Sequence, residues 1–159
     1  MRLRCLWIFT LVGLVLACGG ESARDTLATA RQALNETRYA DALQAADQGL
    51  AAGADEVTAW GLELVKLEAL ARDGLGEAAL AQLTKLAGER PQNMNADQYA
   101  ATADQLRNAG VGTVAIQALD LGLQRFPDDT QLQGQIDAAK AASEGSDELE
   151  MLRSLGYVE

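Results

Sequence analysis

The sequence predicts an all-α protein, and three features favour this class. Alanine, leucine, glutamine and glutamate are abundant, whereas aromatic residues make up 4% of the 159 residues and only two residues are prolines. Apolar residues recur at spacings of three and four, which places their side chains on one face of a helix. A segment pattern also recurs along the chain, and such internal periodicity is typical of stacked helical repeats.

The first residues predict export from the cytoplasm. Arg2 and Arg4 form a cationic start, and an apolar run from Cys5 to Ala17 follows it. A membrane-spanning helix needs about 20 apolar residues, so this run is too short for a comfortable span. A charged start, a short apolar run and small residues after it are typical of a secretory signal. Residues 1–17 are therefore predicted to be a signal peptide.

The end of this apolar run resembles the lipobox of bacterial lipoproteins. The residues that carry the resemblance are Val15-Leu16-Ala17-Cys18, followed by two glycines. The resemblance implies that the Cys18 thiol receives a diacylglycerol, which anchors the chain to the bacterial membrane, on the periplasmic side of the outer membrane. Residues 18–22 then form a linker. Cys5 lies in the removed segment, so the mature chain forms no internal disulfide. The alternative is an ordinary signal peptide with an incidental cysteine.

Charge and residue content argue against several classes of function. Loss of Arg2 and Arg4 changes the formal net charge from −10 to −12, and such a chain repels nucleic acid and anionic lipid headgroups. The sequence has no histidine, which excludes histidine-based triads and the commonest metal ligand. Asp128 and Asp129 supply too few oxygens for calcium and are instead predicted to cap a helix. We expect no catalysis, metal, cofactor or small-molecule substrate.

A repeat becomes visible when two distant segments are aligned. The segment from Ala42 to Asp55 and the segment from Ala115 to Asp128 share seven of fourteen residues at a separation of 73. A third segment, from Ala79 to Pro91, lies between them. Together they give a period of about 36 residues, within the range of known repeat architectures. The chain therefore contains about three units.

Each unit is predicted to be two helices with a break between them. The breaks fall near Thr37, at Gly74 and at Gly110, and the two glycines suit the left-handed conformation that ends a helix. Pro91 and Pro127 end the second helices of the later units. Residues 130–142 have a narrow apolar stripe and are predicted to form a terminal capping helix.

Residues 23–128, about three repeats, resemble the tetratricopeptide repeat (TPR) family, and together with the capping helix they form a predicted helical repeat domain of residues 23–142. The matching positions are an early aromatic in the first helix, an alanine in the second helix and a closing proline. They are Trp60, Tyr99, Ala42, Ala79, Ala115, Pro91 and Pro127, with the junction Tyr39-Ala-Asp-Ala-Leu43 in the first unit. The resemblance implies a right-handed superhelix of about three helical hairpins plus the capping helix. Stacked hairpins then share one continuous core, because a single hairpin cannot bury its own apolar face.

In the TPR family the concave face comes mostly from the first helix of each hairpin, and a partner segment binds there. By position, the resemblance assigns such a role to ten residues of mixed charge. They are Arg24, Arg31, Asn35, Thr58, Val65, Glu68, Asp97, Asp104, Arg107 and Asn108. The alternative for each of them is ordinary solvated helix surface.

The tail, residues 143–159, is predicted to be a linker and a short amphipathic helix. Leu149, Leu152 and Leu155 line one side, and Gly156 ends the helix. A helix of about ten residues is unstable alone in water, so it must dock. Two alternatives remain: it docks on its own repeats, or it binds a groove of a partner through these leucines and Tyr157.

The tail from Leu152 to Val158 is also similar to a segment near the end of bacterial sulfatase-type catalytic domains. Taken together, the sequence predicts a lipid-anchored protein-interaction scaffold of the bacterial envelope, with another protein as its partner. One alternative is a structural or assembly factor for an envelope complex. The other is an accessory subunit of a sulfatase-type or phosphatase-type hydrolase.

Overall fold

The computed structural model describes residues 19–143 and 147–159, and for residues 19–22 it describes the backbone alone. Across these ranges the chain is all-α, with eight α-helices and no strand, which confirms the predicted class. The helices are α1 (Gly19–Asn35), α2 (Tyr39–Ala51), α3 (Glu56–Arg72), α4 (Gly76–Glu89), α5 (Ala96–Asn108), α6 (Gly112–Arg125), α7 (Thr130–Ala142) and α8 (Asp147–Ser154). A 3-10 turn, Pro91–Asn93, separates α4 from α5.

The start of the chain differs from the prediction in one respect. The predicted signal peptide, residues 1–17, and the predicted lipidation site, Cys18, lie outside the described residues. Residues 18–22 were predicted to be a linker, but α1 already begins at Gly19. Ala23 is fully buried, so helix packing starts immediately after the stretch that was predicted to be a linker.

Helices α1, α3 and α5 each end in a tight turn that contains a residue in the left-handed backbone conformation. Gly74 has φ +74° and Gly110 has φ +81°, as the sequence predicted, and Thr37 adopts φ +58° at the equivalent place after α1. In each turn the next amide donates back to a carbonyl in the last helical turn, for example Leu75 N–H to Leu70 O at 3.0 Å. This is the Schellman pattern, which satisfies carbonyls that a helix end leaves free.

Side-chain caps start α3, α5 and α7. The Asp55 carboxylate accepts from Thr58 N at 2.9 Å, and Asp129 accepts from Leu132 N at 3.0 Å. Asn95 and Gln98 form a reciprocal capping box. Each cap satisfies amides that have no partner inside the helix. The predicted capping role of Asp129 is confirmed.

Most helices that follow one another in the chain pack together, α4 and α5 being the exception, and so do most alternate helices, with the exception of α2 and α4. Helices α1, α3, α5 and α7 each contact the next of this series, and α4, α6 and α8 do the same. Small residues permit this close approach: a Cβ atom on Gly122 would lie 2.9 Å from Tyr99 Cβ and 3.0 Å from Leu132 Cδ1. The result is two layers of helices with the core between them.

The core consists of two clusters that meet along α3. The first joins α1, α2 and α3 around Leu34, Ala46 and Leu62, and the second extends from α3 to α8. Tyr99 is buried in the second cluster, with the Phe126 ring 6.1 Å away in an edge-to-face arrangement. Trp60 and Phe126 are partly buried and pack against the same cluster.

The carboxyl-terminal end differs from the predicted capping arrangement. Leu132 and Ile136 of α7 are buried, but α7 is not the last packed element, because α8 lies on both α6 and α7. The second helices α2, α4, α6 and α8 begin at intervals of ~36 residues, the repeat spacing found in the sequence. Helix α8 therefore occupies the position that a fourth second helix would take.

Candidate partner-binding surface

Of the ten residues predicted to bind a partner on the first helices, seven lie on the accessible surface of α1 and α5. Arg24, Arg31 and Asn35 of α1 are exposed. The Arg24 guanidinium reaches the Asp55 carboxylate at 3.5 Å, which ties α1 to the start of α3. On α5, Asp97, Arg107 and Asn108 are exposed and Asp104 is half-buried.

Two of the predicted positions, both on α3, are not part of this surface. Thr58 is 4% exposed, because its amide and its hydroxyl both donate to the Asp55 carboxylate at the helix start. Val65 is also 4% exposed and belongs to the core cluster between α1 and α3. Neither side chain is available to a partner, so this part of the prediction is wrong.

A shallow groove separates α3 from α5. Its volume is about 170 Å³, and Leu64 and Leu67 form its apolar part. Glu68 lies at its edge and forms an ion pair of 2.6 Å with Arg72, one helical turn later. The remaining lining residues are Gln98, Ala101, Thr102 and Gln105 of α5. The groove thus combines an apolar floor with amide and carboxylate groups.

A larger cavity, of about 460 Å³, lies among α5, α6, α7 and α8. The predicted residues Asp104 and Arg107 line it and form an ion pair with each other. Gln135 of α7 donates its amide to Asp104 Oδ2 at 2.9 Å, so α5 and α7 are joined across the cavity edge. Asp104 and Arg107 are therefore brought together, whereas Arg24 and Arg31 lie at the other end of the helix stack.

The tail docks on its own chain, which settles one alternative that the sequence left open. Leu152 is fully buried, and Leu155 and Tyr157 pack half-buried against the large core cluster. Leu149 is half-buried. Leu152 is thus not available as the anchor of a partner-binding motif, because the groove between α6 and α7 already holds it.

A polar contact holds the end of the tail. The Tyr157 hydroxyl donates to Asp120 Oδ1 at 2.8 Å, and the Lys140 ammonium lies 5.8 Å from the centre of the Tyr157 ring. Burial, together with the hydrogen bond to Asp120 and its negative charge, raises the pKa of Tyr157 to about 12. The neutral phenol is thus favoured in the folded chain.

Several lining residues were missed by sequence reasoning. Gln98, Gln105 and Gln135 lie in the two grooves, and Glu148 of α8 closes one end of the larger cavity. Helical spacing places Gln98 and Gln105 on one face of α5 together with Ala101 and Thr102, next to the face of the predicted residues, and could have revealed them. Glu148 had no comparable signal, because its position depends on where the tail docks.

Two classes of site are not found in the part of the chain that the structure describes. No group of three or more acidic or cysteine side chains there is arranged to hold a metal ion. No helix within residues 19–143 or 147–159 is long and apolar enough to cross a membrane.

Comparisons with protein-family models, with curated proteins and with solved structures find no match for this chain.

Proposed function

We propose that this chain is a lipid-anchored, non-catalytic interaction module of the bacterial envelope, and that it binds a segment of another protein. In this proposal the helix pairs form a TPR-like right-handed superhelix, and the partner lies across the first helices α1, α3, α5 and α7. The observation that carries the proposal is the α3–α5 groove together with the larger cavity among α5, α6, α7 and α8. Glu68 lies in the groove, and Asp104 and Arg107 line the cavity.

The packing of the helices supports the repeat arrangement. Alternate helices contact each other in two series, and the second helices recur at the spacing found in the sequence. Stacked repeats of this kind form extended surfaces, and such surfaces suit a peptide or a helix. The grooves also suit recognition better than catalysis, since the sequence supplies no histidine and the ion pair of Asp104 with Arg107 occupies both charges.

The lipid anchor is proposed from the residues that precede the helices. Cys18 follows an apolar run and directly precedes α1, so an acylated Cys18 would hold the helical domain close to the membrane. Metabolic labelling with a radioactive fatty acid tests this step. Label on the wild-type chain that disappears in Cys18→Ala supports the anchor, and an unlabelled wild-type chain contradicts it.

Site-specific photocrosslinking in native envelopes tests partner binding. A benzophenone amino acid is placed at Gln105, in the α3–α5 groove, and as a matched control at Glu77, which is exposed on α4. The proposal predicts a discrete crosslinked protein from position 105, and its loss when Glu68→Arg is added. Equal crosslinking from position 77, or none from position 105 in a chain with normal helical content, contradicts it.

A further inference from the structure

The cavity among α5, α6, α7 and α8 has an apolar interior. Its floor comes from the buried side chains of Ala115, Ile116 and Leu119 of α6. Gly134 and the alanines at 138, 139 and 142 of α7 contribute little side-chain volume, which leaves room between α6 and α7. Its volume of about 460 Å³ is ample for one long aliphatic side chain.

The polar groups of this cavity are mainly hydrogen-bond acceptors. Asp104 and Glu148 each contribute a carboxylate, and Gln135 contributes an amide. Arg107 is the one basic residue in the lining, and the Asp104 carboxylate already pairs with it. The lining thus has two carboxylates and one guanidinium group, so its net negative charge favours the binding of a positively charged group.

The orientation of the Gln135 amide follows from its neighbour. A carboxylate can only accept, so the amide must turn its NH₂ towards Asp104, as the bond of 2.9 Å requires. Its Oε1 atom is then left on the other side, where it is buried and accepts no hydrogen bond from any described residue. A buried acceptor of this kind destabilises the fold unless a donor reaches it.

Glu148 supplies a second acceptor to the cavity. Its carboxylate accepts from Ser143 Oγ at 3.1 Å and lies directly against the backbone of Gly112, the first residue of α6. A side chain at position 112 would displace this carboxylate. The docked tail therefore completes the cavity, because α8 supplies Glu148.

We propose that this cavity binds a lysine side chain of the partner segment, with the ammonium group donating to the Glu148 carboxylate and, once the Gln135 amide has shifted to open its Oε1 atom to the cavity, to that atom. The proposal rests on the proposed function and names the chemistry that the partner must present. An aliphatic stem suits the apolar floor, and an ammonium group supplies only donors, which match these acceptors. A second copy of this chain is a poor occupant, because each copy has a formal net charge of −10.

The test is a titration followed by ¹H–¹⁵N NMR on the full-length chain in mild detergent micelles. The probe is Nα-acetyl-lysine N-methylamide, and its matched control is the norleucine analogue, which keeps the aliphatic stem but lacks the ammonium. We expect saturable shifts at Gly112, Gly134 and the Gln135 side-chain amide with lysine. Binding of the norleucine analogue should be about 10-fold weaker, the effect of roughly one charge-assisted hydrogen bond.

Paired variants locate the ammonium group. Glu148→Gln removes the charge in the cavity, and Glu150→Gln makes the same change on the exposed side of α8. Gln135→Met removes the buried acceptor, and Gln131→Met alters an exposed glutamine of the same helix. We expect Glu148→Gln and Gln135→Met each to weaken lysine binding about 5-fold, and both controls to leave it unchanged.

Each other outcome counts against the proposal. Absence of saturable shifts at tens of millimolar probe, or equal binding of lysine and norleucine, overturns it. Tighter binding of 1,5-diaminopentane than of the lysine probe would assign the cavity to a free amine and not to a partner. The proposed function is tested independently of lysine binding, because crosslinking from Gln105 reports on the α3–α5 groove. Crosslinking without lysine binding would contradict only the lysine proposal.

Discussion

The Tyr157 hydroxyl lies 2.8 Å from Asp120 Oδ1 and joins the end of the tail to the middle of α6. Substitution Tyr157→Phe removes this hydrogen bond and leaves the half-buried ring in place. Because the bond is partly buried, its loss should cost about 1 kcal/mol of tail docking. Hydrogen exchange of the α8 amides should then accelerate about 5-fold, while exchange in α3 stays unchanged.

The matched control is Tyr39→Phe, which removes the same atom near the other end of the helix stack. It should leave exchange in α8 at the wild-type rate. Equal rates in the wild type and in Tyr157→Phe would mean that the ring alone holds the tail.

Tail docking should also weaken at high pH. The pKa of Tyr157 is about 12 in the folded chain, against 10 for an ordinary tyrosine, because burial and Asp120 both disfavour the phenolate. The docked tail therefore prefers the neutral phenol. This preference contributes fully to docking below pH 10, and the contribution is lost as the pH rises from 10 towards 12.

Tyrosine absorbance at alkaline pH measures this effect. The titration of the wild type minus that of Tyr157→Phe isolates one phenol, and its midpoint should lie near 12. A difference curve with an ordinary midpoint would show that Tyr157 is solvated, and thus that the tail does not dock as described.

Leu152 should be the main apolar contributor to tail docking. Its side chain is fully buried against α6 and α7. Leu152→Ala removes three side-chain carbon atoms and leaves a cavity. Such a change typically costs about 2–5 kcal/mol, and here it should weaken the docking of α8. Limited proteolysis should then cleave within the tail, while the domain before it stays resistant.

Arg153→Ala serves as the control for Leu152→Ala, because Arg153 is the next residue and is exposed. It should give the wild-type cleavage pattern. Loss of protease resistance throughout the chain in Leu152→Ala would instead show that α8 is required for the stability of the whole domain.

The helices and their ends were predictable from the sequence, because local chemistry determines them. Gly74 and Gly110 adopt the left-handed conformation that was expected, and Asp129 caps α7. The predicted all-α class follows from the same local signals. These features depend on residues close in sequence, so no knowledge of the tertiary contacts is needed.

The surface was harder to predict, because exposure depends on which helices pack on each other. Val65 was assigned to the recognition face from a family resemblance, yet α1 and α2 cover it. The tail is a second example: its amphipathic pattern predicts docking but does not say on what. Only the tertiary arrangement shows that Leu152 contacts its own chain and that Glu148 closes a cavity.

Close helix packing at Gly122 should make this glycine intolerant of a side chain. A Cβ atom there would lie 2.9 Å from Tyr99 Cβ, and a Cβ atom does not move as the end of a flexible side chain does. Gly122→Ala should therefore destabilise the domain by about 1–3 kcal/mol in urea unfolding, despite the better helix propensity of alanine.

Gly88→Ala is the matched control, since Gly88 lies in the equivalent part of α4 and a Cβ atom there meets nothing within 4 Å. It should be neutral or should stabilise the domain by up to about 1 kcal/mol. If both alanine variants were stabilising, α5, α6 and α7 would not approach as closely as described.

The turn after α1 should be improvable by substitution. Thr37 is the one non-glycine residue with positive φ among those described, and its φ of +58° is unfavourable for a β-branched side chain. The equivalent turns use Gly74 and Gly110. Thr37→Gly should raise the free energy of unfolding by about 1 kcal/mol, because glycine adopts this conformation without a steric penalty.

The reciprocal change provides the control. Gly110 has φ +81°, and a Cβ atom added there would meet no other atom within 4 Å, so Gly110→Thr introduces backbone strain without a packing clash. It should lower the free energy of unfolding by about 1–2 kcal/mol. Urea denaturation of the two single variants and of their combination measures both effects. The double variant should lie near the sum, because the two substituted residues belong to different turns and share no hydrogen bond. A destabilised Thr37→Gly would show that the Thr37 hydroxyl, which donates to Glu36 O at 2.7 Å, contributes more than the strain costs.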